Sequence, residues 1–315
     1  MDTVLVTGAD GFVGGALCEA LAASARRVRR AVRVARPGLA DTVATGDIGP
    51  DTDWRSALEG VSSVVHLAAR THVLRETAAD PLAEYRRVNL EGTRKLAQMA
   101  ARAGLRRLVF MSSIKVNGEA TERPFTERDV PRPEDAYGRS KWETEQALAR
   151  VAADTGLEVV VLRPPLVYGP GVKGNLLRLM DVVARGTPLP LASIENRRSL
   201  VYVGNLVDAI IKAIDAPGAA GRTYFVSDGE DVSTPDLVRA LAKALGVRPR
   251  LLPCPTTLLK FGAAFAGKRA ELARLTGSLQ VDSTALRREL DWRPRFTLAQ
   301  GLVETARWYY SQSRA

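Results

Sequence analysis

Cysteine occurs only at Cys18 and Cys254 in a chain of 315 residues. Cys18 falls inside the first predicted helix, so neither a disulfide framework nor a metal-ligand cluster is indicated and no metal is expected. Aromatic residues are sparse, at 6%. None interleave with the pairs Arg86-Arg87, Arg106-Arg107 and Arg287-Arg288, as a base-stacking surface would require. The net charge of +10 therefore fits an anionic small molecule, and no nucleic-acid partner is expected. Long apolar runs are missing too. Leu258 to Ala266, the most apolar later stretch, is too short to span a bilayer and contains Lys260, so no membrane partner is expected. The chain enters a strand at once, which leaves no room for a charged and apolar signal segment and implies a cytoplasmic location. No internal repeat or low-complexity linker occurs.

What is present is an ordinary globular composition, with 46% hydrophobic and 25% charged residues. The length is large for a single core, which predicts one large domain carrying a smaller appendage. Near the start, "VTGADGFVGG" (residues 6–15) follows the apolar, β-branched run Thr3 to Thr7 and precedes the helix-forming stretch from Val13 to Ala25. The order strand, glycine loop, helix points free backbone N–H groups and the positive end of a helix dipole at one place. Gly8, Gly11 and Gly14 stand where a pyrophosphate would approach, although tight strand-to-helix turns also use glycine for backbone reasons.

Apolar strand-like runs at 2–7, 27–33, 42–46, 62–67, 106–112 and 157–162 alternate with helical segments that include 83–103 and 137–154. Such alternation predicts an α/β fold, a Rossmann-type doubly wound parallel sheet covered on both faces. Ligands of such sheets sit beyond the carboxyl ends of the strands, where Gly8 to Gly14, Leu67-Ala68-Ala69, Ser112-Ser113 and Pro164-Pro165 fall. From about residue 170 the pattern loosens into turn-rich segments between short helices. The expected division is a dinucleotide-binding domain over 1–168, with 199–226 returning to it, and a smaller mixed C-terminal substrate lobe over 169–315.

Between residues 110 and 141, "FMSSIKVNG" ends the fifth strand and "AYGRSKWE" opens a long helix. Tyr137 and Lys141, four apart, share a helix face, so an ammonium can lie near a phenol. A nearby cation favours the phenolate and is expected to lower the tyrosine pKa toward neutrality. A strand-end serine hydroxyl could hold a carbonyl or alcohol oxygen beside the same phenol.

"TGADGFVG", "HLAA", "VNLEGT", "SSIKVNG", "YGRSK" and "LRPPLVYGPG" together resemble the extended short-chain dehydrogenases/reductases, within the nucleotide-sugar epimerase, dehydratase and ketoreductase group. The resemblance covers essentially the whole chain. It implies that Tyr137 is the general acid/base, that Lys141 binds the nicotinamide ribose and that Ser113 bonds the reacting sugar oxygen. It further implies that Gly8, Gly11, Phe12, Val13, Gly14, Leu67, Ala68, Ala69, Pro164 and Val167 belong to the cofactor site. Asn89 would support the cofactor loop and the active-site helix, and Asp47-Ile48 would bracket the adenine. An NAD site usually carries an acid after the second strand, whereas "VRRAVRVARPG" has none near its end. Arg33 or Arg36 could clasp a 2′-phosphate instead, so NADP(H) is favoured, with NAD(H) as the alternative.

In the C-terminal part, Asn175, Arg198 and Arg274 match positions that grip a nucleoside diphosphate in the family, which points to a UDP-sugar substrate. Leu166 stands where sugar epimerases often carry asparagine. Lys115 and Asn117 replace a common Thr and Tyr, changes expected to reshape the pocket around the sugar. The leading expectation is 4-keto reduction of a nucleotide sugar for surface polysaccharide, with NADPH as hydride donor. A UDP-hexose 4-epimerase holding NAD is the alternative, and a nonenzymatic NADP-sensing or RNA-binding derivative a remote one. A dehydratase is disfavoured because Ile114-Lys115 replaces the Asp-Glu pair of eliminating members. By analogy the helices at 83–103 and 137–154 would pair in a homodimer.

Overall fold

A computed structural model describes residues 2–35, 41–71, 80–265, 267 and 269–312. Ten strands are formed among the described residues: β1 (Thr3–Thr7), β2 (Arg27–Val32), β3 (Thr42–Ala44), β4 (Ser63–His66), β5 (Arg107–Met111), β6 (Glu158–Arg163), β7 (Leu166–Tyr168), β8 (Arg198–Tyr202), β9 (Thr223–Phe225) and β10 (Asp231–Val232). Seven of them make one parallel sheet in the order β3-β2-β1-β4-β5-β6-β9. The remaining three form a small mixed sheet, β10-β8-β7, with β7 and β8 parallel and β10 antiparallel to β8.

The large sheet is apolar on both faces because successive side chains alternate. Val4, Val6, Val65, Val109, Val160 and Leu162 enter one core, while Leu5, Val64, Leu108, Phe110, Val159 and Val161 enter the other. The first face is covered by α1 (Phe12–Ala23) and α7 (Val203–Asp215), the second by α2 (Arg55–Leu58), α4 (Gly92–Arg102) and α5 (Ala136–Thr155), with α3 (Pro81–Tyr85) packed beside α5. The other helices are α6 (Asn175–Ala184), α8 (Thr234–Ala244), α9 (Thr256–Phe265), α10 (Arg269–Thr276), α11 (Thr284–Glu289) and α12 (Leu298–Gln312). The doubly wound α/β architecture is the one expected from the alternating runs.

The predicted helix at 83–103 forms with one difference. Residues Arg86–Glu91 make a π-helical segment between α3 and α4. The extra residue in that turn coincides with Asn89, which is 1% exposed and bonds to groups outside its own helix. The sheet reverses its winding between β1 and β4, so a crevice opens there, at the carboxyl ends of the strands.

Candidate active site

The glycine loop turns the chain from β1 into α1. Gly8 has φ +65°, and a Cβ there would lie 3.0 Å from the Ala68 nitrogen. A Cβ on Gly14 would stand 2.0 Å from the Gly8 carbonyl oxygen. Gly8 is thus required by its approach to the loop after β4 and Gly14 by the packing of α1 on the glycine loop, whatever binds. Gly11 differs: it is exposed, begins α1 without any side-chain cap, and would bring its Cβ near only the Gly8 oxygen. The first-turn amides around Phe12, Val13 and Gly14 are left uncapped at the positive end of the helix, a cradle suited to a pyrophosphate.

Across the crevice, a buried relay shapes the loop after β4. Thr7 Oγ1 accepts from the backbone nitrogens of Leu67 and Ala68, each at 3.1 Å. Its proton is then directed at His66 Nδ1, 2.7 Å away, which leaves Nε2 as the protonated nitrogen donating to Thr93 Oγ1 at 2.8 Å. Burial holds His66 neutral, with its pKa lowered to about 3. Asn89 ties the same loop to α5. Its Oδ1 accepts from the Arg70 nitrogen at 2.8 Å, and its Nδ2 donates to Ser140 Oγ at 3.0 Å. Ser140 in turn donates to the Tyr137 carbonyl.

Ser113, Tyr137 and Lys141 come together at the carboxyl end of β5. Asp135 caps α5 by accepting from the Gly138 nitrogen at 2.7 Å, which sets the helix start and carries Tyr137 toward β5. The Tyr137 phenol is hydrogen-bonded with the Ser113 side chain. Lys141 is 2% exposed, donates to the Met111 carbonyl at 2.8 Å, and lies 4.5 Å above the Phe110 ring. Its ammonium is 5.9 Å from the centre of the Tyr137 ring.

The expected lowering of the tyrosine pKa is not found. Burial pushes the Tyr137 phenol above its ordinary value, the Asp135 charge adds to this, and the Ser113 bond only partly opposes it. Burial also brings Lys141 down to about 7, against the pull of Glu145. Desolvation outweighs the mutual effect of the two groups, because the ammonium spends its bond on a backbone carbonyl.

Where the sequence placed the adenosine end, an acid comes from the segment after β3 rather than after β2. Parallel pairing of Val32 with Ala44 sets the residues that follow β2 and β3 side by side. Asp47 Oδ1 thereby lies 3.0 Å from Arg33 Nε, with both side chains largely exposed. Arg36 lies outside the described residues. Ile48 packs its Cγ2 where a Cβ on Gly92 would stand, at 2.5 Å, so the residue chosen for the adenine also seats α4. Ala69 is half-buried beyond the relay. Pro164 accepts from the Ile114 nitrogen at 3.1 Å, joining the β6 end to the serine loop, and Val167 continues into β7.

At the start of β8 in the small sheet, Arg198 donates to the carbonyls of Arg274 and Gly277, at 2.7 and 3.0 Å. Burial lowers the Arg198 pKa, against the charge of Glu119. Arg274 Nε faces Glu119 Oε2 at 3.5 Å, and Lys115 Nζ donates to Glu119 Oε1 at 2.7 Å and to Asp135 Oδ2 at 2.5 Å. Arg198 and Arg274 are thus adjacent, and Lys115, Glu119 and Asp135 link them to the cap of the Tyr137 helix. Asn175 stands exposed at the start of α6, outside this network.

Lys115 and Asn117 were expected to reshape the sugar pocket. Asn117 instead is buried, its Oδ1 accepting from Arg163 Nη1 at 3.0 Å. Arg163 forms a buried ion pair with Glu145, which also accepts from Ser112. Sequence reasoning missed Glu119, Asp135, His66 and this Glu145–Arg163 pair. Only Asp135 had a local signal, an aspartate three residues before Gly138 at a helix start.

Residues 4–227 match the NAD dependent epimerase/dehydratase family. The chain is 46% identical over 311 residues to the UDP-glucose 4-epimerase of Vibrio cholerae, covering 96% of this chain and 94% of that protein. It is 27% identical over 327 residues to the N-acetyl-alpha-D-glucosaminyl-diphospho-ditrans,octacis-undecaprenol 4-epimerase of Escherichia coli O157:H7, covering 99% and 97%. Among solved structures it resembles MoeE5 in complex with UDP-glucose and NAD, with a TM-score of 0.81, 28% identity and full coverage of both chains.

Proposed function

The chain belongs to the NAD dependent epimerase/dehydratase family, and on that premise we propose that it interconverts the C4 epimers of a UDP-hexose, with NAD as the retained cofactor. The observation that carries this reading is the Arg33–Asp47 pair. A carboxylate beside Arg33 would repel a 2′-phosphate and can accept ribose hydroxyls, which removes the main electrostatic ground for preferring NADP(H). The bound NAD in MoeE5 and the activity of the Vibrio cholerae relative support the same choice.

Gly11 and the uncapped first turn of α1 would hold the pyrophosphate, and Asp47 and Ile48 the adenosine end. When bound, the nicotinamide supplies acceptance and return of the C4 hydride. Tyr137, protonated at rest because burial raises its pKa, must first give up that proton; as the phenolate it takes the proton of the C4 hydroxyl while that oxygen becomes a carbonyl, and returns it after the sugar has turned. Ser113, bonded to the same phenol, holds that oxygen in line. Lys141 is fixed on the Met111 carbonyl with its nitrogen near the Tyr137 ring, where its protonated form would favour that phenolate. Arg198, Arg274 and Asn175 would hold the diphosphate while the sugar rotates. As part of this reading the chain divides near residue 168 into cofactor and substrate lobes and pairs through helices 83–103 and 137–154.

A second reading, 4-keto reduction with NADP(H), is favoured by Leu166, 42% exposed where epimerases often carry an amide. Incubation of purified protein with UDP-hexoses and their 4-keto derivatives separates the two. Isomer exchange without net loss of reduced cofactor supports the epimerase. Stoichiometric NADPH consumption with no exchange supports the reductase.

A further inference from the structure

The hairpin formed by α9 and α10 carries an apolar stripe that nothing in the site uses. Leu258, Phe261 and Phe265 are 61%, 78% and 99% exposed. Their spacing of three and four residues places them on one face of α9. Leu252, in the segment leading into α9, and Leu275 in α10 are also exposed. These five are nearly half of the large apolar side chains that the described residues leave open to solvent. An exposed apolar stripe along one helix face, as Leu258, Phe261 and Phe265 form, marks an interaction surface.

The charge of the same segment says what that surface meets. Residues 245–276 contain Arg248, Arg250, Lys260, Lys268, Arg269 and Arg274 against Glu271 alone. Six basic residues and one acidic give +5, half of the chain's net +10 in about a tenth of its length. Apolar side chains on a short helix within a strongly basic segment suit the interface of an anionic bilayer. A second copy suits it poorly, because a two-fold contact through this face would bring two such positive segments together.

We propose that the α9–α10 hairpin docks on the surface of an anionic lipid bilayer, inserting Leu258, Phe261 and Phe265 between headgroups. This departs from the sequence expectation of no membrane partner, which considered only spanning segments. No helix among the described residues is long and apolar enough to cross a membrane, and α9, at ten residues, lies along the surface instead. The hairpin also carries Arg274, whose carbonyl accepts from Arg198. Docking therefore brings the candidate diphosphate grip to the headgroup region. The docking itself does not rest on the proposed epimerase activity.

Co-sedimentation of the full chain with phosphatidylcholine vesicles, with and without phosphatidylglycerol, tests this. Binding at least ten times stronger to the anionic vesicles, and weakened by high salt, is expected. The triple variant Leu258→Ser, Phe261→Ser, Phe265→Ser should lose binding at least tenfold while its circular dichroism and its turnover of soluble UDP-sugar stay unchanged. Should that variant fold poorly, the exposed-charge variant Arg248→Glu, Arg250→Glu, Lys260→Glu should lose binding in the same way. Absent or equal binding to both vesicle types overturns the proposal. So does sedimentation showing that the native chain self-associates through this face and that the serine variant does not.

Discussion

Arg33 and Asp47 meet at 3.0 Å although they stand 14 positions apart in the chain, because β2 and β3 run parallel and end together. Both side chains are more than two-thirds exposed, so the pair is weak, of the order of 0 to 1 kcal/mol, and screened by salt. Its importance lies in the sign of the charge it leaves at the ribose. Asp47→Asn should raise NADP(H) affinity relative to NAD(H) by roughly three- to tenfold. Fluorescence titration of both cofactors checks this, and an unchanged ratio would remove Asp47 from cofactor choice.

Tyr137→Phe keeps the ring and deletes the only proton that the phenol can exchange. Turnover should fall by about a hundredfold or more while UDP affinity stays within about twofold. Near-native turnover in a coupled assay would remove Tyr137 from the mechanism.

The acid limit of stability should be set in part by His66. Its folded pKa is about 3, whereas an unfolded histidine titrates near 6.5. Between these values the unfolded chain takes up a proton that the folded chain refuses, so stability falls as pH falls from about 6.5 toward 3. At pH 5 the loss attributable to this group is about 2 kcal/mol. Urea titrations at pH 7.5 and pH 5 measure it, and His66→Gln should flatten the difference.

Glu119 faces Arg274 and accepts from Lys115, where an anionic diphosphate would compete with it. Glu119→Gln should tighten UDP binding about three- to tenfold, and Arg198→Ala should weaken it by roughly 2 to 3 kcal/mol. Calorimetry giving opposite signs, or no change for either variant, would move the diphosphate grip elsewhere.

Much of the crevice at the ends of β1, β4 and β5 was legible because its signals are local. Continuous apolar runs at β1, β4, β5 and β6 demand a sheet buried on both faces, and glycines at the first turn reveal a close approach. Tyr137 and Lys141 share a helix face by spacing alone. The cluster around Arg198 was less legible, since Arg198 and Arg274 are 76 residues apart and become neighbours only through a backbone bond.

What the sequence determined by itself is therefore the architecture and the meeting of Ser113, Tyr137 and Lys141, because short-range periodicity and strand ends dictate both. Tertiary structure decided the charges. Asp47 reached Arg33 through parallel pairing, Asn117 turned inward to Arg163, and burial drove Tyr137 up and Lys141 down. Each depends on which distant groups share a volume and how much water is excluded from it, and that is not written in the spacing of any one segment.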